Sequence, residues 1–245
     1  MNNLVGRVAL VTGSARNIGR AIALELASAG AAVMVSARTS AAEAEAVVAE
    51  IRNRGGRAAV KLADVADPDA AAALIAAAVE AFGRLDILVN NAAVRREIDF
   101  ARLDYREWRN IVGTILDGAF LCSHAALPHL IASGSGTIIN IGGLASHTGA
   151  SRRAHVIAAK AGLEGLTRAL AHDLAPHGII VNTIAPGLVD TVRDQLPSHH
   201  AAHKPLVGRL GKPAEIAALV NFLCGPDARY ITGQTIHANG GVFMG

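Results

Sequence analysis

The chain has 245 residues, enough for one large α/β domain or two small ones. Half of it is hydrophobic and only 3% aromatic, so the core must come from Ala, Val, Ile and Leu. A formal net charge of +3, with no basic runs, argues against a nucleic-acid-binding protein, which needs a basic stripe.

Residues 8–12 form an apolar, β-branched run that reads as a buried strand. Gly13 and a short polar stretch follow, and Gly19 lies in a helical pattern over 18–29 that stops at Gly30. Strand, glycine turn and helix together point backbone N–H groups and a helix N-terminus at a phosphate. Asn17 stands where a third glycine could sit, and Asn tolerates positive φ best among the other residues. Strands are then expected at 32–36, 58–63, 87–91, 137–141, 179–184 and 234–239. Between them fall helices at 41–54, 68–82, 104–131, 152–174 and 213–224, with a polar loop over 188–211. This alternation implies right-handed crossovers and a parallel sheet covered on both faces, in one α/β domain spanning 1–245. In such sheets the ligand sits beyond the carboxyl ends of the strands, here near 13–19, 37–38, 64–65, 90–93, 141–147 and 186–191. Cys122 and Cys224 lie in separate apolar segments and read as buried hydrophobes. The start of the chain has no secretory pattern, and no uncharged apolar run is long enough to span a membrane, so a soluble, cytoplasmic protein is expected.

The segments TGSARNIG (12–19), DV (64–65), NNAA (90–93), PGLVDT (186–191), GRLGKP (208–213) and ITGQTIHANGG (231–241) carry a pattern when taken in order. Over essentially its full length the chain resembles the short-chain dehydrogenase/reductase family. The resemblance implies a Rossmann-type, doubly wound, parallel seven-stranded sheet, a bound nicotinamide dinucleotide, a small-molecule substrate and a tetramer or dimer. It implies that Gly13, Ser14, Arg16, Asn17, Ile18 and Gly19 hold the pyrophosphate, and that Asp64 and Val65 contact the adenine. Asn91, Ala92 and Ala93 would flank the ribose and the middle of the cofactor. Pro186, Gly187, Val189 and Thr191 would hold the carboxamide end, and 188–211 would form a substrate lid. After the second strand the residues are Ser36, Ala37 and Arg38, with no acid to bind a ribose 2′-hydroxyl. Arg38 offers a fork for a 2′-phosphate, and Arg16 a second positive charge, so NADP(H) is expected.

The family's chemistry uses a Tyr, a Lys four residues later, a Ser and an Asn. Lys160 matches the lysine, as a ribose anchor, but Val156 holds the tyrosine position, Gly143 the serine position and Ile115 the asparagine position. A positioned general acid is worth roughly 10²–10⁴ in rate and an oxyanion donor roughly 10²–10³. Reduction of an unactivated ketone by the family route should therefore be nearly abolished. Beside Lys160, His155 and His147 are candidate substitutes for the proton donor, although each can equally be a packed or loop histidine. Ser146 borders the same loop, and Arg95 could reach an anionic substrate. His199, His200 and His203 crowd the lid, but without a carboxylate or cysteine partner no metal is expected. Two readings stay open: an NADPH-dependent oxidoreductase acting on an activated carbonyl, imine, quinone or enone, and a catalytically silent NADP-binding sensor or partner subunit. Lyase or dehalogenase chemistry is a weaker third, since no base is evident.

Overall fold

The computed structural model describes residues 4–192 and 204–245. Its centre is a seven-stranded sheet in the order β3-β2-β1-β4-β5-β6-β7, with every neighbouring pair parallel. The strands are β1 (Val8–Val11), β2 (Ala32–Ala37), β3 (Ala58–Leu62), β4 (Ile87–Asn90), β5 (Thr137–Ile141), β6 (Ile180–Pro186) and β7 (Thr235–Ala238). The main helices are α1 (Asn17–Ser28), α2 (Ala41–Asn53), α3 (Pro68–Phe82), α4 (Tyr105–Val112), α5 (Gly118–Ala132), α6 (Ala145–Thr148), α7 (Ala154–Leu174) and α8 (Pro213–Cys224). The expected doubly wound α/β architecture is thus the one found.

Alternate strand residues feed two separate apolar layers, as the pleat dictates. Ala9, Val11, Val33, Val35, Val89 and Ile139 pack with Ile22 and Leu26 of α1, Val47 and Ile51 of α2, and Val220 and Leu223 of α8. Val8, Leu10, Met34, Leu88, Ile138 and Val181 face the other way, onto Leu74 and Ile75 of α3, Cys122 and Leu130 of α5, and Leu174 of α7. Both cysteines are buried thiols, as expected. The chain leaves β1 in one direction through β2 and β3, then returns to place β4 on the other side of β1. That reversal opens a crevice at the carboxyl ends of β1 and β4.

A buried polar chain fixes those carboxyl ends. Asn90 Nδ2 donates to Asn140 Oδ1 at 2.9 Å and to Ser123 Oγ at 3.1 Å. Asn140 Nδ2 donates to Thr167 Oγ1 at 2.8 Å, and the hydroxyls of Thr167 and Thr183 lie 2.7 Å apart. Strands β4, β5 and β6 are thereby tied to α5 and α7 in one register.

Two helical expectations are corrected. The single helix expected at 104–131 is divided by a π-helical turn, Gly113–Asp117, where Thr114 Oγ1 bonds back to Asn110 O at 2.9 Å. By length and composition the whole run Tyr105–Ala132 could cross a membrane, contrary to the expectation that no such segment exists. In the fold, however, one face of this run, including Ile111, Ile115, Cys122 and Leu130, packs against α3 and α7. Helix α7 starts at Ala154, not at 152, because Arg152 takes a left-handed conformation with φ of 62°.

Candidate active site

The glycine turn after β1 is built for close approach. Gly13 has φ of 62°, and a Cβ there would lie 2.9 Å from Ala92 Cα. A Cβ on Gly19 would fall 2.3 Å from Gly13 O and 2.5 Å from Asn91 Nδ2, so only glycine fits both positions. Asn17 takes φ of 53°, the left-handed conformation that its residue type suggests. Helix α1 begins with Arg16 in an extended N-cap conformation and no side chain capping its first N–H groups, which is what an anion at that helix end requires. The cradle therefore fits a dinucleotide pyrophosphate.

Several expected cofactor residues serve the cradle itself. Ser14 is buried, its Oγ donating to Val11 O at 2.7 Å and accepting from Ser36 N at 3.0 Å, so its side chain is turned inward. Asn91 Nδ2 donates to both Thr12 O and Gly13 O at 2.9 Å, holding the turn. Thr12 Oγ1 accepts from the N–H groups of Asn91 and Ala92, each at 3.0 Å. The side chain of Asn17 pairs with the backbone of Val192 through Nδ2 at 3.2 Å and Oδ1 at 3.0 Å, joining the turn to the segment after β6. Ile18 and Val65 are buried, whereas Arg16 is exposed. Arg38 and Asp64, at adjacent strand ends, lie 3.8 Å apart and are both half-exposed, so a 2′-phosphate on Arg38 must displace a weak ion pair.

The two ends of the segment expected to form a lid are stitched together. Val189 bridges Gly211, Asp190 N donates to Gly211 O at 2.8 Å, and Gly211 N donates to Leu188 O at 2.9 Å. Thr191 Oγ1 lies 3.5 Å from Val189 O. Of the lid histidines, His199, His200 and His203 lie outside the described residues.

Beside Val189 opens a small cleft that reaches solvent. Its lining includes Ile18, Gly143, Ser146, Val156, Lys160, Pro186, Gly187 and Val189, so the two ends of the expected cofactor track meet there. Gly143 has no atom within 4 Å of where a Cβ would be, and it leaves open space rather than a donor. Val156 and Ile115 pack into one apolar cluster with Ile111, Val112, Ala119, Ala159 and Leu163. Apolar packing fills the asparagine and tyrosine positions, so no second side chain enters them.

Lys160 is 5% exposed, and its Nζ donates to Ile141 O at the end of β5. Burial, with Arg95 and Arg153 nearby, brings its ammonium down to about 7. The two histidines expected as donors are not at the cleft. His155 is fully buried and neither ring nitrogen finds a hydrogen-bond partner among the described residues. Desolvation lowers its pKa, favouring the neutral ring. A neighbour on a helix is rotated about 100° from Val156, which turns the imidazole away. His147 instead lies 3.0 Å from Glu164 Oε1 and packs against His237 and Phe243. Ser146 reaches the cleft, but its Oγ is 2.6 Å from Gly143 O and 2.8 Å from Glu164 Oε1. Arg153 borders the cleft and was not singled out in the sequence. Its position three residues before Val156, one helical turn away, is the signal that could have found it.

This fold and cradle define a nicotinamide-dinucleotide-dependent oxidoreductase of Rossmann type. A sequence model of the family described as Enoyl-(Acyl carrier protein) reductase matches residues 13–243. The chain is 43% identical to the 3-oxoacyl-(acyl-carrier-protein) reductase FabG of Staphylococcus aureus, over 96% of this chain and 98% of that protein. It is 40% identical to the 3-oxoacyl-(acyl-carrier-protein) reductase of Synechocystis, over the full length of both. Among solved structures, a dehydrogenase/reductase from Sinorhizobium meliloti superposes with a TM-score of 0.94 at 38% identity, covering 99% of this chain and 97% of the other. A short-chain dehydrogenase from Burkholderia cenocepacia in complex with NADP gives 0.92 at 39% identity, covering 98% and 99%. The chain belongs to the short-chain dehydrogenase/reductase family.

Proposed function

We propose that this protein is an NADP(H)-dependent reductase of small molecules bearing an activated carbonyl, imine, quinone or enone, working without the family's tyrosine, serine and asparagine. The cofactor is NADP(H): the S. aureus relative is a named reductase, the B. cenocepacia neighbour holds NADP, and this chain supplies a glycine cradle with Arg16 and Arg38. When bound, NADPH supplies a hydride. The chain's part is to orient the two reactants, exclude water and manage one proton.

The observation that carries the reading is Lys160, turned into a cleft whose other family positions are apolar. Its ammonium, near 7, carries a proton at Nζ that it can release at neutral pH, and a group with pKa near ambient pH is the most effective acid. Lys160 thus serves as both anchor and proton source. With Gly143 and Val156 offering no donor, the substrate must need little polarisation, which favours the activated classes. His155 and His147 are structural in this reading.

The test is NADPH oxidation against a panel of simple ketones, dicarbonyls, quinones, imines and enones, run with Lys160→Ala alongside. Turnover confined to the activated members, reduced at least about 100-fold in the variant, is expected. NADPH binding with no turnover across the panel overturns the reading and favours a silent cofactor-binding subunit.

A further inference from the structure

One side chain of the glycine turn bonds away from the turn. Asn17 is the first residue of α1, and its φ of 53° is a conformation that glycine adopts at least cost. What asparagine adds over glycine is an amide group, with a donor and an acceptor that together match the N–H and C=O of a single residue. Both are used on Val192: Nδ2 donates to Val192 O at 3.2 Å, and Oδ1 accepts from Val192 N at 3.0 Å. The partners are 175 residues apart in the chain, so the pair joins two separate segments. Val192 is 90% exposed, so burial of its side chain does not hold it there. The stitching to Gly211 involves Leu188, Val189 and Asp190, and Val192 lies two residues beyond it. The two joined segments border one cleft, through Ile18 next to Asn17 and through Pro186, Gly187 and Val189 before Val192.

We propose that Asn17 is a positioning residue that clasps residues 186–192 over the bound dinucleotide and slows its release. The proposal rests on NADP(H) binding in the glycine cradle. A cofactor with its pyrophosphate at the head of α1 and its nicotinamide end against residues 186–191 runs between the two joined segments, and they must part for it to leave. Two neutral hydrogen bonds at the surface form a modest barrier, together on the order of tenfold in rate. The clasp therefore retains the cofactor without locking it in, and keeps the segment after β6 against the nicotinamide end while it is bound.

The test is the rate at which NADPH leaves, followed by stopped-flow fluorescence after the complex is mixed with excess NADP⁺. Asn17→Gly keeps the left-handed backbone and removes both bonds, and release is expected to be about tenfold faster. Val192→Pro, at an exposed site, removes only the N–H that Oδ1 accepts, and should speed release by a smaller factor. The double variant should release NADPH no faster than Asn17→Gly alone, because the two changes break the same contact. Additive effects would mean that Asn17 acts on the cofactor directly, and they overturn the clasp. Unchanged release from Asn17→Gly also overturns it, and unchanged release from Val192→Pro does so if Asn17→Gly fails to fold. A parent protein that binds no NADPH would refute the cofactor assignment, and the clasp with it.

Discussion

At the scale of single residues, Lys160 shows function set against stability. An ordinary lysine titrates near 10.5, and burial brings this one to about 7. Between those values the unfolded chain holds a proton that the folded chain has released, so stability from this group rises with pH from about 7 to about 10.5. At neutral pH and below, the buried ammonium is a cost. Lys160→Met, similar in reach and apolar, should therefore raise the Tm of cofactor-free protein at pH 7 by about 2 °C or more. The same change should flatten the alkaline rise in stability, while abolishing turnover. Calorimetric melts across pH 6–10 check it, and a lower Tm would mean that the hydrogen bond to Ile141 outweighs desolvation. Arg38 illustrates the opposite case, an exposed residue that the proposed function assigns to a ligand. Arg38→Asp should move cofactor preference from NADPH toward NADH by about tenfold or more, read by fluorescence titration of each. Equal affinity of the parent protein for both cofactors would contradict the role given to Arg38 and Arg16.

At the scale of elements, the junction of β1 with α1 is the least tolerant part of the fold. Gly13, Gly19, Asn91 and Thr12 form one interlocked unit, in which an amide side chain from the β4 end holds two carbonyls of the glycine turn. Gly19→Ala would drive a methyl group against Gly13 O and Asn91 Nδ2, and relief requires opening the turn. Overpacking of this kind costs about 1–3 kcal/mol. The expected result is a lower Tm and at least about tenfold weaker NADPH binding, measured by melting and titration. Wild-type affinity in that variant would show that the cradle can relax. The π-helical turn Gly113–Asp117 is a second element with consequences. It lies where Ile115 joins Val156 in the apolar cluster, so this stretch of helix presents an apolar wall there.

At the scale of the whole molecule, the family resemblance implies a homo-oligomer, and the outer surface of α5 is consistent with one. Phe120 is 49% exposed with its ring tilted against His124, and Ile131 is also exposed. Sedimentation equilibrium at micromolar concentration should give a dimer or tetramer, and a strict monomer would refute that expectation. Much of the architecture was legible in the chain itself. Near-continuous apolar runs separated by amphipathic helices specify a parallel sheet, because only burial on both faces tolerates such strands. The TGSARNIG turn specifies a tight strand-to-helix junction, since its glycines mark where backbone must approach backbone. The expectation that Ile115, Gly143 and Val156 offer no hydrogen-bonding side chain could also be read off, because it rests on residue identity alone. The directions of side chains were not legible. His155 and His147 stood beside the site in sequence and were turned away from it, one by helical rotation and the other by Glu164. The side chains of Ser14 and Asn91 are directed into the turn and hold it, which residue type alone does not reveal. Arg153 was overlooked because its approach depends on Arg152 being held in a left-handed conformation by Ile98 and Asp99, more than fifty residues away in the chain. Periodicity encodes which face of an element is buried, and so the fold. Which side chains border the cleft is a property of contacts between distant segments, and only the tertiary structure decided it.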